Sequence, residues 1–216
     1  MCAKNDLYSK GEEIFNGVSH IVGAGLGVLF LIFFSVYGGL FLNGGETASL
    51  IIFSISAIIL YTMSSIYHML NPLKAKKIFR IFDHCTIYLL IAGTYTPMIV
   101  IGIPDVRGYT ILGIVWTLAV VGITMNSINM NNKYVKITSH ILYILMGWMI
   151  VFIFNDLIAM MNTVSLITLF VGGVLYTAGF VFYGLGKKKK WFHSIWHLFV
   201  LGGTIFHLVS LIFLII

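Results

Sequence analysis

The chain has 216 residues, of which 59% are hydrophobic and 9% charged, with a formal net charge of +6. Soluble domains carry roughly 25% charged residues. That deficit, with a mean hydropathy of +1.01, excludes an ordinary water-soluble fold and reads as an integral membrane protein.

The first fifteen residues, MCAKNDLYSKGEEIF, are polar. The apolar run behind them is too long for the core of a signal peptide, so no cleavable leader is expected. Cys2 lies in this tail and Cys85 inside a span. Without neighbouring thiols they imply neither a disulfide framework nor a cysteine metal site. No apolar stretch precedes Cys2, which speaks against a lipid anchor there.

A membrane-crossing helix needs ~20 apolar residues. Seven such runs follow, at about 17–42, 48–70, 79–101, 109–129, 135–155, 163–184 and 191–215. Their length and continuity favour helices over the short alternating strands of a barrel. The 22 glycines suit closely packed membrane helices. Connections are short, so residues 1–216 are predicted to form a single all-α domain, a seven-transmembrane helix bundle. No broken-helix pair or inverted repeat suggests a transporter.

Charges in the connections set the direction. Lys4 and Lys10 precede the first span; Lys74, Lys76, Lys77 and Arg80 precede the third. Lys133 and Lys136 precede the fifth, and Lys187–Lys190 the seventh. With seven spans these segments share one side and hold twelve of the thirteen basic residues, while Arg107, Glu46, Asp105 and Asp156 lie opposite. The positive-inside rule then predicts a cytoplasmic N-terminus, an outside C-terminus and a multi-pass plasma-membrane protein. The lysine run reads as a topology anchor, and no separate basic domain offers a nucleic-acid surface.

Polar residues gather at the expected cytoplasmic ends. EEIFNGVSH brings Glu13, Asn16 and His20; SSIYH brings Ser64 and His68; FRIFDHC brings Asp83; and KKKKWFHSIWH brings His193 and His197. A carboxylate and several imidazoles at membrane depth are costly unless they share a partner, and a divalent metal, zinc above all, is the simplest. His193 and His197 are four apart and share a helical face, as do Ser64 and His68, and Asn16 and His20. His207 lies ~15 Å beyond His197 along its helix and is excluded from that site. His84 points about 100° away from Asp83 and is expected to face elsewhere. His140 has the right depth but no partner on its own helix. Each residue also has an ordinary reading: a packing pair for His193 and His197, an ion pair with Arg80 for Asp83, a bond to its own helix backbone for Ser64, a helix start for Glu13.

Imidazoles around zinc with one open position can activate water, with Asp83 as base and Ser64 orienting it. Glu13, Asn16 and His20 would form an outer shell. The expected reaction is hydrolysis of a lipid amide or ester; membrane lipids are the expected partners, and oligomeric state is not readable.

The order ExxNxxxH (Glu13, Asn16, His20), SxxxH (Ser64, His68), Asp83 followed by LLIAGTYTP, then HxxxH (His193, His197) resembles the hemolysin III branch of the progestin and adiponectin receptor (PAQR) family, from about residue 8 to the C-terminus. The short tail and loops suggest a bacterial member. The resemblance implies a seven-helix bundle with zinc at its cytoplasmic end, ligated by His68, His193 and His197, with Ser64 and Asp83 beside it. It also implies ceramidase-like hydrolysis in membrane lipid homeostasis or, by the branch's name, cytolytic pore formation. A non-catalytic lipid sensor with structural zinc is the remaining reading. The long N-terminal domain of the eukaryotic receptors is not expected here, and hormone binding is not expected to carry over.

Overall fold

The structure is a computed structural model describing residues 8–186 and 188–216. Cys2, Lys4 and Lys187 lie outside the described residues. Among the described residues eight α-helices follow in order: α1 (Lys10–Phe41), α2 (Gly44–Met69), α3 (Leu73–Gly102), α4 (Val106–Asn129), α5 (Lys133–Trp148), α6 (Phe154–Met160), α7 (Thr163–Leu185) and α8 (Phe192–Ile215). A short 3-10 segment, Met149–Ile153, joins α5 to α6, and Lys133–Met160 forms one crossing. Among the described residues seven crossings result, and the chain is a multi-pass membrane helix bundle.

Helix limits exceed the apolar runs where local chemistry favours it. α1 starts seven residues before position 17 because Ser9 and Glu12 form a reciprocal cap. Ser9 Oγ accepts from the Glu12 N–H, and Glu12 Oε2 accepts from the Ser9 N–H at 2.9 Å. α3 starts at Leu73 behind Pro72, so the basic segment through Arg80 is helical.

α3 is the most enclosed crossing, with 72% of its most apolar window buried against 22% for α1. It packs on α2, α4, α5 and α8, while α1 packs on α2 and α8, and α7 on α8. Polar stitches cross these contacts. Ser65 Oγ donates to the Gly17 carbonyl at 3.0 Å, tying α2 to α1. The Tyr61 hydroxyl donates to Thr204 Oγ1 at 2.6 Å, tying α2 to α8. Close approach demands glycine at Gly93, where a Cβ would stand 2.2 Å from Ser56 Oγ on α2.

The break in the fifth crossing is bridged from α3. The Tyr95 hydroxyl accepts from the Ile150 N–H at 2.8 Å and donates to the Gly147 carbonyl at 3.2 Å. Irregular backbone at membrane depth requires such partners, since lipid offers none.

Candidate metal centre

The start of α1, the end of α2 and the starts of α3 and α8 meet at one end of the bundle. α2 delivers His68 in its last turn, and α8 delivers His193 and His197 from its first two turns. All three are buried. One nitrogen from each lies within 4.8 Å of the others. His193 Nε2 and His197 Nε2 are 3.2 Å apart. Two nitrogens each about 2.0–2.1 Å from a tetrahedral zinc would stand roughly 3.3 Å apart. The observed spacing fits that donor set.

Glu13 fixes the third ring. Its Oε2 is 2.6 Å from His68 Nδ1, and its Oε1 accepts from Lys76 Nζ at 2.6 Å. With Nδ1–H donating to this carboxylate, the Nε2 lone pair of His68 is left free. That Nε2 is buried and has no hydrogen-bond partner among the described residues. A cation held by the three rings would satisfy it. The group could therefore bind a metal ion.

His20 lies against the cluster from α1, its ring centroid 3.9 Å from that of His197. Asn16 is fully buried one turn earlier. Ser64 and Asp83 both line a chamber of about 470 Å³ that His20, His193 and His197 also line. Glu12, beside Glu13, joins the two ends of the site: its Oε1 accepts from the Trp191 N–H at 2.6 Å. Trp191 has φ 66, the left-handed region, where a bulky residue is strained. This turn precedes α8 and sets where His193 emerges.

One expectation and one ordinary reading fail here. His84 does not face elsewhere: it lines the chamber together with Asp83. The chamber is wide enough for residues about 100° apart on α3 to reach it. Asp83 does not pair with Arg80 either; its Oδ2 is 3.6 Å from His84 Nδ1. His207 sits far from the cluster, with Nε2 3.2 Å from the Leu169 carbonyl. His140 packs on Phe180 and Tyr183.

Several neighbours had no signal in sequence. Tyr8, outside the helices, stacks on His193 with ring centroids 4.5 Å apart. Burial pushes its hydroxyl well up, reinforced by Tyr67 and Tyr183, so it stays protonated. Tyr183 on α7 meets His84 Nε2 at 3.3 Å. Glu12 was missed as well, although Ser9-x-x-Glu12 is a helix-start pattern that points to it.

Beyond the chamber lies an apolar cavity of about 130 Å³ between α3, α5, α7 and α8. The two share the walls made by His84, Ile87, Tyr183 and Trp196. Polar donors and the histidine nitrogens thus adjoin a slot suited to a hydrocarbon chain.

Comparison with known proteins places these residues in a group. A family model described as haemolysin-III related matches residues 8–208. "Hemolysin-3 homolog" of Bacillus subtilis (strain 168) is 35% identical over 198 residues, 92% of either chain. "Hemolysin-3" of Bacillus cereus is 37% identical over 193 residues, 89% of this chain and 87% of its own. "Monocyte to macrophage differentiation factor" of Homo sapiens is 27% identical over 153 residues, 68% of this chain and 62% of its own.

Proposed function

The chain belongs to the haemolysin-III related family, and from that membership and the geometry of its polar end we propose a zinc-dependent membrane hydrolase of lipid amides or esters. The observation that carries this reading is the convergence of His68, His193 and His197 beside a chamber that adjoins an apolar cavity. Zinc held by three imidazoles supplies a Lewis acid that lowers the pKa of water toward neutrality.

The chain's own residues supply the rest. Glu13 holds His68 with its Nε2 lone pair presented to the other rings. Asp83 faces the chamber as the base that takes a proton from water, and Ser64 offers a hydroxyl to orient it. The apolar cavity seats the hydrocarbon chain and keeps bulk water from the bond to be cut. By the charge pattern, the site lies at the inner leaflet.

Metal analysis of the purified protein tests the first half. Wild type should carry about one zinc per chain and His193→Ala close to none. Hydrolysis of acyl amides and esters tests the second, with Asp83→Ala expected to lose about a hundredfold or more in rate. Zinc-loaded wild type that cleaves neither class, with Asp83→Ala indistinguishable from it, would defeat the enzymatic reading. The names of the two Bacillus relatives favour a lytic alternative. Leakage from dye-loaded liposomes that persists after loss of all three histidines would support it. A sensor with structural zinc would instead retain signalling in a Ser64→Ala, Asp83→Ala double variant.

A further inference from the structure

One face of α3 carries three chemistries in order. Lys77 and Arg80 reach the chamber wall from its first turns; Asp83 and His84 follow; Ile87 and Ile91 then line the apolar cavity. Positions 77, 80, 84, 87 and 91 follow helical periodicity. Ile91 lies ~16 Å along the axis from Arg80, about the reach of a lipid head and the upper part of its chain.

The cations at the head of this stripe have no ion-pair partner among the described residues. Among the described residues, Glu13 pairs with His68 and Lys76, while Asp83 comes no closer than 3.6 Å to His84 Nδ1, a nitrogen that meets the Arg80 carbonyl at 3.0 Å. No ion pair involves Lys77 or Arg80 among the described residues. Arg80 is partly buried, whereas Lys77 at the chamber mouth is exposed, as are Lys74 and Lys188–Lys190. Lysines that only anchor topology can face outward, as the latter do. A guanidinium turned into a partly buried chamber calls for an anion there.

We propose that this site selects lipids carrying an anionic group a few atoms beyond the scissile carbonyl. A single acyl chain occupies the apolar cavity, the carbonyl linkage lies level with Asp83 and His84, and a carboxylate or phosphate oxygen pairs with Arg80 and Lys77. The planar guanidinium fork matches either anion. This inference rests on the hydrolase reading and names its substrate class. In the reaction, water gives its hydroxyl to the acyl carbon and its remaining proton to the departing nitrogen or oxygen. The products are a fatty acid and a small anionic amine or alcohol.

Zinc-replete full-length protein in mixed micelles would be offered two matched pairs: palmitoylglycine against palmitoylethanolamine, and lysophosphatidic acid against monoacylglycerol. The anionic member of at least one pair should be preferred by about tenfold or more in kcat/KM. The pair that shows the preference identifies carboxylate or phosphate. Arg80→Gln should bring that ratio close to one, and Arg80→Lys should keep part of it, which a merely structural arginine would not do. A second arm compares hexadecyl phosphate with hexadecanol by thermal shift of the zinc-loaded protein. If no lipid is cleaved, the hydrolase reading falls, while this binding arm still scores head-group selection. Should the variants fail to fold, the wild-type comparisons decide alone. Equal handling of charged and neutral members in both arms overturns the proposal.

Discussion

Glu13 uses its two carboxylate oxygens for different tasks, one on His68 and one on Lys76. Substituting Glu13→Gln keeps the shape but removes the charge. Only the amide oxygen can accept, so the side chain no longer serves both Lys76 and the His68 Nδ1–H, and the contact that fixes the ring's tautomer is weakened or lost. Zinc affinity should fall by about 10- to 100-fold, measured by competition with a chelator. His20→Ala should weaken binding less, since its ring touches His197 without donating to the cluster. At this scale much of the site was legible. The four-residue spacing of His193 and His197 sets a shared helical face, and charge segregation sets a common depth for His68. His84 and Tyr8 were not legible. Their places depend on the width of a chamber and on a segment outside any helix, and neither leaves a periodicity to read.

The fifth crossing shows what an element hides from its sequence. Its apolar run has no proline, yet the helix gives way at Met149–Ile153. The displaced backbone groups are taken up by a single hydroxyl on another helix, Tyr95 of α3. Because the partner lies more than fifty residues away, no local pattern announces the break. Tyr95→Phe should leave the Ile150 N–H and the Gly147 carbonyl without that partner. A loss of roughly 1–3 kcal/mol is expected, read as a lowered unfolding midpoint in detergent. Gly93→Ala should cost a similar ~1–3 kcal/mol by a different route, forcing α2 and α3 apart at Ser56. The number of crossings was legible because each needs a long apolar run. The extra turns at the start of α1 and α3 were not read from hydropathy, since capping and a preceding proline, rather than apolarity, decide where those helices begin.

For the whole molecule, orientation decides which leaflet supplies the lipid. Seven crossings among the described residues put the start of α1 and the end of α8 on opposite sides. The three-histidine cluster lies at the end where α1, α3 and α8 begin and α2 finishes. That is also the end of the basic connections at Lys74–Lys77, Lys133–Lys136 and Lys188–Lys190. The opposite end holds Arg107, paired with Asp156 at 3.2 Å, so its one cation is neutralised by a carboxylate. An excess of unpaired lysine on one side resists translocation, and the same side carries the cations of the chamber wall. We therefore expect the cluster to face the cytoplasm, drawing lipid from the inner leaflet, where anionic headgroups gather. Fusions to a phosphatase that is active only outside the cell provide the check. Fusion after Ile216 should be active, and fusion in the turn between Asn129 and Lys133 inactive. The reverse pattern would move the site to the outer face, where lipid with its head toward Arg80 would have to arrive from the external leaflet.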